Sequence, residues 1–429
     1  MIVLLEKIKS SKYLKNLAIL TSGTIIAQFV LVAISPLLTR IYSVEELGLF
    51  ALLASLISLF TPVMNARYDI SIVNAKTLKE ANALAVAAFA ISLIFSFLLF
   101  LGLFFYNILF PKTFSELGLW IYLLIPIFVL LGLTNVLTSY NNRYLQYKLI
   151  SKVSVIRSTV QALTQILFGL TKLGIIGLTI SQFLSVLMSI KTQAKFAFDE
   201  RETFKGLKYT DIISVIRIYK NQALFSTPAI FLNSLSNSML VFFITILYGV
   251  IELGYFSIAF KVLGLPIVII SVNVAKVYFE KANRELNDRG NFSSTYNKTF
   301  LLLSSISIPF FIILMLVSSD LFELVFGEGW GRAGTFVAIL APMYLIKFVA
   351  SSLSLSLILV NKQKVELLIQ MLFVLVGGTV FILCYMLDFN IYTFLTLISS
   401  LYSLVYILML LITFKYSKEE KEFKNGNIN

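Results

Sequence analysis

The sequence has no histidine and a single cysteine, Cys384. Without histidine the chain lacks the usual general base near neutral pH and the commonest metal ligand. One cysteine rules out an intramolecular disulfide and a cysteine-based metal site. Charge is scarce as well: charged residues make up 13% of the chain, against about a quarter in a soluble domain. No glycine-rich phosphate loop, metal-ligand cluster or catalytic triad is present. These gaps argue against an enzyme of the aqueous phase and point to no cofactor.

What the chain has instead is apolar length. Hydrophobic residues reach 58% and mean hydropathy is +0.90. They fall into runs of about 20 separated by short polar breaks, the pattern of membrane-crossing helices. The runs predict an all-α polytopic membrane protein with twelve spans: 14–38, 47–66, 81–107, 117–140, 153–171, 174–194, 223–248, 253–275, 299–318, 335–359, 366–387 and 391–414. The first run is too long for a signal-peptide core and lacks a small-residue cleavage site, so it reads as a span.

The polar segment 195–222 divides these spans six and six. The expected organisation is an N-terminal bundle (1–198), a cytoplasmic linker (199–222) and a C-terminal bundle (223–429). Ile212, Ile213, Ile216 and Tyr219 share one helical face of the linker, with Arg217 and Lys220 nearby. That pattern predicts a helix lying along the membrane surface.

Charge sets the orientation. With both termini cytoplasmic, the inner segments carry 29 of the 35 Lys and Arg residues, and the outer segments only Arg40, Lys112, Lys172 and Arg332. The positive-inside rule selects this topology. It also assigns the net charge of +13 to topology and anionic lipid, which leaves no nucleic-acid footprint.

The chain repeats itself. Tyr42-Ser43-Val44-Glu45-Glu46-Leu47-Gly48-Leu49-Phe50 matches Tyr248-Gly249-Val250-Ile251-Glu252-Leu253-Gly254-Tyr255-Phe256 at six of nine positions, 206 residues apart. Weaker matches follow at offset 216 (Leu109-Phe110 with Val325-Phe326, Pro126 with Pro342) and at offset 219 (Asn142-Arg143 with Asn361-Lys362). An even number of spans in each half makes the repeats parallel, two bundles with a central cavity expected between them. Ser43-x-x-Glu46 reads as a capping box at the start of the second span, and Gly249-x-x-Glu252 as a weaker version with glycine at the cap. Gly48 and Gly254 would allow close helix contact.

Lys261 and Lys347 lie near the middle of spans, where a charge is costly and usually faces a watery interior. Arg40, Arg67 and Arg157, with Lys276, lie closer to span ends, where a long basic side chain can reach the headgroups. Acids are nearly absent from the spans, with Asp69, Asp320 and Asp388 expected at ends or in loops. Basic residues without matching acids point to an anionic cargo. Asn233 and Asn237 in the seventh span could bind sugar hydroxyls or simply bond between helices.

Three phrases resemble a known family. Phe326-Gly327-Glu328-Gly329-Trp330, followed by Ala333 and Leu340-Ala341-Pro342, resembles the "FGxxW…A…L.P" phrase of Wzx-type polysaccharide (O-antigen and capsule) flippases, members of the multidrug/oligosaccharidyl-lipid/polysaccharide exporter superfamily. Leu38-Thr39-Arg40-Ile41-Tyr42-Ser43-Val44-Glu45-Glu46-Leu47-Gly48 resembles that family's first loop, and Arg67-Tyr68-Asp69 its segment after the second span. The resemblance implies two bundles in a V around a basic cavity. It also implies a bacterial inner-membrane transporter, not an enzyme, whose cargo is a polyprenyl-pyrophosphate-linked oligosaccharide carried to the outer leaflet. Membrane lipid and other polysaccharide assembly proteins are the partners it suggests. Arg40, Arg67, Arg157, Lys261, Lys347, Asn233 and Asn237 are the substrate-binding residues expected on this reading. Rival readings are a drug exporter or lipid II flippase of the same superfamily, or a membrane glycosyltransferase, which would need a large outer loop.

Overall fold

The computed structural model describes residues 12–111, 118–199 and 201–419, and every regular element among them is helical. The first helices are α1 (Lys12–Ala33), α2 (Ser35–Ile41), α3 (Val44–Phe60), α4 (Tyr68–Asn74) and α5 (Leu78–Leu109). A 3-10 turn, Leu119–Leu123, leads into α6 (Leu124–Arg143), followed by α7 (Tyr147–Leu170), α8 (Gly174–Asp199) and the short α9 (Tyr209–Ile218). A π-helical turn, Gln222–Ser226, opens α10 (Thr227–Pro266), and a second, Ile267–Ser271, joins it to α11 (Val272–Arg289). The last described helices are α12 (Ser293–Phe326), α13 (Gly331–Leu353), α14 (Ser356–Leu359), α15 (Gln363–Leu387) and α16 (Ile391–Lys418).

Among the described residues ten stretches are long and apolar enough to cross a membrane, which makes this a multi-pass membrane protein. One of them, Gln222–Arg289, is 68 residues long and is interrupted at Gly249. Its two halves coincide with two expected spans, and α3, at 17 residues, with one more. Among the described residues each of the twelve expected spans thus overlaps a helix, the second ending early, at Phe60. Many large apolar side chains, Phe97, Leu109, Leu316 and Leu324 among them, point outward, as lipid-facing residues do.

By its contacts the chain divides into two compact units, Met1–Val241 and Phe242–Asn429, with the division falling inside α10. In the first unit α7 packs on α1 and α8, α8 on α6, and α6 on α5. Asn65 ties three elements: its Nδ2 donates to the carbonyls of Ala88 (3.0 Å) and Gly132 (3.2 Å), and its Oδ1 accepts from Asn135 (3.0 Å). Such amide bonds hold helices together where lipid supplies no hydrophobic drive. In the second unit α12 packs on α13, and α16 on α13 and α15. Gly334 lets α12 and α13 approach closely, since a Cβ there would lie 2.3 Å from the Ser318 carbonyl. The Ser318 hydroxyl donates to the Gly334 carbonyl at 2.8 Å.

Internal geometry bears out the repeat and corrects its register. Leu145 and Asn361 both take left-handed backbone (φ 57° each), as do Lys172 (57°) and Asp388 (50°). Around them Gln146 N–H donates to Asn141 O and Lys362 N–H to Leu357 O, while Leu173 N–H donates to Phe168 O and Phe389 N–H to Cys384 O. Each is the six-to-one bond of a left-handed helix end, and each pair is 216 residues apart. The match of Asn142-Arg143 with Asn361-Lys362 at offset 219 is therefore three residues out of step with the turn. Side-chain identity misled there because the turn is fixed by backbone conformation.

Candidate functional site

The motif that opens the second span in each unit is anchored alike. The Tyr42 hydroxyl donates to Gln165 O at 2.7 Å, in α7, and the Tyr248 hydroxyl to Phe389 O at 3.0 Å, just after α15. The first acceptor lies in the fifth span of its half, the second just past the end of the corresponding span in the other. Gly48 and Gly254 are buried. The carboxylates differ. Glu46 completes the expected capping box, its Oε2 accepting from Ser43 N–H at 2.8 Å while Ser43 Oγ accepts from Glu46 N–H at 3.2 Å. Glu252 makes no such box; it pairs with Arg332 at the start of α13. The physical reason is Gly249, which has no side-chain oxygen and sits at φ 84°, ψ 178°, a conformation reserved for glycine. The Arg332 guanidinium lies over the rings of Tyr255 (5.8 Å) and Tyr392 (5.7 Å), so α10, α13 and α16 meet at this ion pair.

The basic residues divide by unit. Arg40 is exposed in the last turn of α2, where a cation suits the helix dipole. Arg67 is half-buried in left-handed backbone (φ 62°) just before α4. Arg157 is half-buried midway along α7, and no carboxylate pairs with it among the described residues. Lys261 and Lys347 are both half-buried and both belong to the second unit. The Lys347 ammonium lies 5.0 Å from the Tyr344 ring centre and 6.0 Å from that of Phe260, and these two rings meet edge to face at 6.2 Å. Phe260 is the chain neighbour of Lys261, so α10 and α13 meet where both carry a lysine. Asn233 and Asn237 bond to each other, Asn237 Nδ2 donating to Asn233 O (2.9 Å) and Oδ1 (3.2 Å).

One expectation needs correction. Asp69 is not an open loop residue: it is 9% exposed in α4, and its Oδ1 has no hydrogen-bond partner. Burial raises its pKa, and the nearby Arg67 opposes that rise. The first unit therefore holds a buried acid near Arg67, whose own Nε is also buried without a hydrogen-bond partner; among the described residues no ion pair joins the two.

The sequence profile of a family described as "polysaccharide biosynthesis protein" matches residues 37–335, well over half of the chain. The chain belongs to the polysaccharide biosynthesis protein family. No curated protein matches it in sequence. Among solved structures, this family member is similar to an inward-facing multidrug resistance MATE transporter of the MOP superfamily (16% identity, TM-score 0.66, covering 95% of this chain and 97% of that one). It is also similar to the lipid II flippase MurJ in an inward closed conformation (16% identity, TM-score 0.66, 93% and 87% covered). A MOP superfamily transporter from Pyrococcus furiosus is similar over 94% of this chain and 96% of its own, at 14% identity and TM-score 0.61. At such identities the likeness is one of fold: this polysaccharide biosynthesis protein has the fold of MOP superfamily transporters.

Three features of this family member lay beyond sequence reasoning: the rings beside Lys347, the burial of Asp69 and the Glu252–Arg332 pair. Each joins residues of different elements or depends on a backbone bend. The one available signal was that Phe260 and Tyr344 stand next to, or three before, the two lysines.

Proposed function

We propose that this protein is a flippase that carries polyprenyl-pyrophosphate-linked oligosaccharide units from the cytoplasmic to the outer leaflet, for O-antigen or capsule assembly. It would reside in the bacterial inner membrane with both termini cytoplasmic, as the distribution of Lys and Arg favours. The observation that carries the reading is Lys347 held over the rings of Tyr344 and Phe260, the latter the chain neighbour of Lys261, in a chain of a polysaccharide biosynthesis family. A lysine at membrane depth costs about 2.5–3.5 kcal/mol. Ring faces return about 0.5–2 kcal/mol and use none of the ammonium's three N–H donors. Those donors suit a pyrophosphate oxygen, a point-charge contact that lysine provides well.

Arg40 and Arg157 are assigned to attracting an anionic cargo, and Arg67, beside the buried Asp69, is not. Asn233 and Asn237 are assigned to sugar hydroxyls. The six-and-six grouping of spans around a linker at 199–222 belongs to this proposal. Alternating access would move the cargo. Relatives of the same fold are known in inward-facing and outward-facing forms, and the Pyrococcus furiosus transporter is described by a binding pocket of reversed polarity.

The test is lipid-linked oligosaccharide flipping in proteoliposomes, with Lys261→Gln and Lys347→Gln. Loss of a charged hydrogen bond to phosphate, about 1.5–3 kcal/mol, corresponds to a roughly 10- to 100-fold loss of transport. Full activity in both variants at normal abundance would refute the lysine role. A lipid II carrier would use the same pyrophosphate contact, so competition between lipid II and the oligosaccharide donor separates the two readings.

A further inference from the structure

The short helix α9, which the sequence places in a linker, is built onto the first unit. Val215 is buried beside Ala81, Leu84, Ala85 and Ala88 of α5, with Ile212, Ile216 and Tyr219 packed around it. Three polar contacts lock it there, and a fourth, to Thr203, holds the turn before it. Lys79 pairs with Asp211 at 2.8 Å, and the Tyr219 hydroxyl donates to Glu80 Oε1 at 3.0 Å. The Tyr68 hydroxyl donates to Ile216 O at 3.1 Å, and Asn82 Nδ2 to Thr203 O at 3.0 Å. Lys79, Glu80 and Asn82 lie in the first turns of α5, whose capping box joins Thr77 and Glu80. Since α5 crosses the membrane, α9 is held at the level where the bilayer meets water.

The opposite face of α9 is apolar and basic at once. Tyr209 is 76% exposed and Ile218 65%, with Ile213 also exposed, and Leu224 and Phe225 continue the apolar surface into the next helix. Lys208, Arg217 and Lys220 stand exposed among them. A face toward water would not carry this much apolar area, and a face toward lipid tails would not carry three cations. Apolar side chains interleaved with basic ones at headgroup level suit an anionic bilayer surface.

We propose that this face of α9 binds the headgroups of anionic phospholipids, with Tyr209, Ile213 and Ile218 seated among the upper acyl carbons and Lys208, Arg217 and Lys220 on the phosphates. The anionic surface meant is that of the cytoplasmic leaflet, which rests on the orientation proposed above. The binding itself does not depend on the cargo. Its consequence is that α9 fixes the first unit to the membrane surface, and that the chain becomes free of this anchor only at the π-helical turn Gln222–Ser226.

The full-length chain carrying Tyr209→Trp can be placed in bilayer nanodiscs, where native Trp120 and Trp330 are buried and the new indole is not. Brominated phosphatidylglycerol is then compared with brominated phosphatidylcholine at equal mole fraction. Since an anionic surface favours each basic side chain by about fivefold, quenching by the anionic lipid should exceed the other roughly twofold or more. Adding Arg217→Gln and Lys220→Gln should abolish the preference and keep the quenching; both sites are exposed, so the fold is expected to survive. Equal quenching by both lipids without those changes would overturn the charge-based binding. No quenching by either would show that this face does not touch the bilayer and would overturn the proposal. Flipping activity is not a readout here, so failure of this proposal and failure of the flippase reading are distinguishable.

Discussion

The two copies of the nine-residue motif share a sequence and differ in what their glutamates do. In the first unit Glu46 closes a capping box with Ser43 and starts α3 locally. In the second, Glu252 reaches Arg332, 80 residues further on, and ties three helices together. The tyrosine anchor to the fifth span and the buried glycine are common to both. Duplication thus preserves the parts that position helices and frees a charged side chain for other work. The same divergence separates the basic residues: Arg67 stands beside a buried acid, whereas Lys347 stands among aromatic rings.

The strongest way to break this comparison is at the end of α6. Arg143 Nη1 donates to the carbonyls of Ile72 (3.0 Å), Val73 (3.3 Å) and Ala75 (2.7 Å), closing the C-terminus of α4. In the corrected register its counterpart is Leu359, so the second unit has no such clamp. Arg143→Ala should cost about 3 kcal/mol by loss of charge-assisted bonds to partly buried acceptors. Lys362→Ala, which removes only an exposed contact to the Tyr416 ring, should cost less than about 1 kcal/mol. Denaturant titration of both variants in one detergent measures the gap; equal losses would show that the halves are stabilised alike.

The next effect is at the motif itself. Gly249→Ala forces an alanine into a glycine-only conformation and should cost about 1–3 kcal/mol; nothing lies within 4 Å of the added Cβ, so the loss is conformational. Ser43→Gly, which makes the first copy resemble the second, should cost only about 0.3 kcal/mol. Arg332→Ala leaves both Glu252 oxygens without a partner, since Oε2 is already unpartnered and buried. With Arg332 partly exposed, a loss of about 1–2 kcal/mol is expected, detectable as a lower melting temperature than that of Glu46→Ala.

The smallest effect is on pH dependence, and it has opposite signs at two carboxylates. Hydrogen bonding to Lys79 lowers the Asp211 pKa, so its stabilisation is present above the ordinary carboxylate range and is lost as pH falls through the folded-state value. Burial raises the Asp69 pKa, so its contribution is present at low pH and is lost as pH rises through the raised value. Melting curves across the acid range should therefore steepen with Asp69→Asn, which removes the opposing contribution, and flatten with Asp211→Asn.

The all-helical, multi-span character was legible because apolar run length follows directly from bilayer thickness. The Ser43–Glu46 cap was legible because both partners lie within four residues. The Glu252–Arg332 pair was not, because glycine at the cap position frees the carboxylate for a partner distant in sequence. Asp69 was misplaced because left-handed backbone at Ala66 and Arg67 turns the chain back into the bundle, and no hydropathy pattern records that turn. Lys261 and Lys347 were found by depth alone, whereas the rings beside Lys347 required knowing how α10 and α13 meet.

The central claim is that the second unit's lysines, not the first unit's Arg67, engage the cargo's pyrophosphate. The direct measurement is the rate of lipid-linked oligosaccharide flipping in proteoliposomes for Lys347→Gln and Arg67→Gln, each normalised to folded protein. Lys347→Gln is expected to lose about tenfold or more, and folded Arg67→Gln to transport at a near-normal rate. The reverse ranking, or equal losses, would contradict that claim.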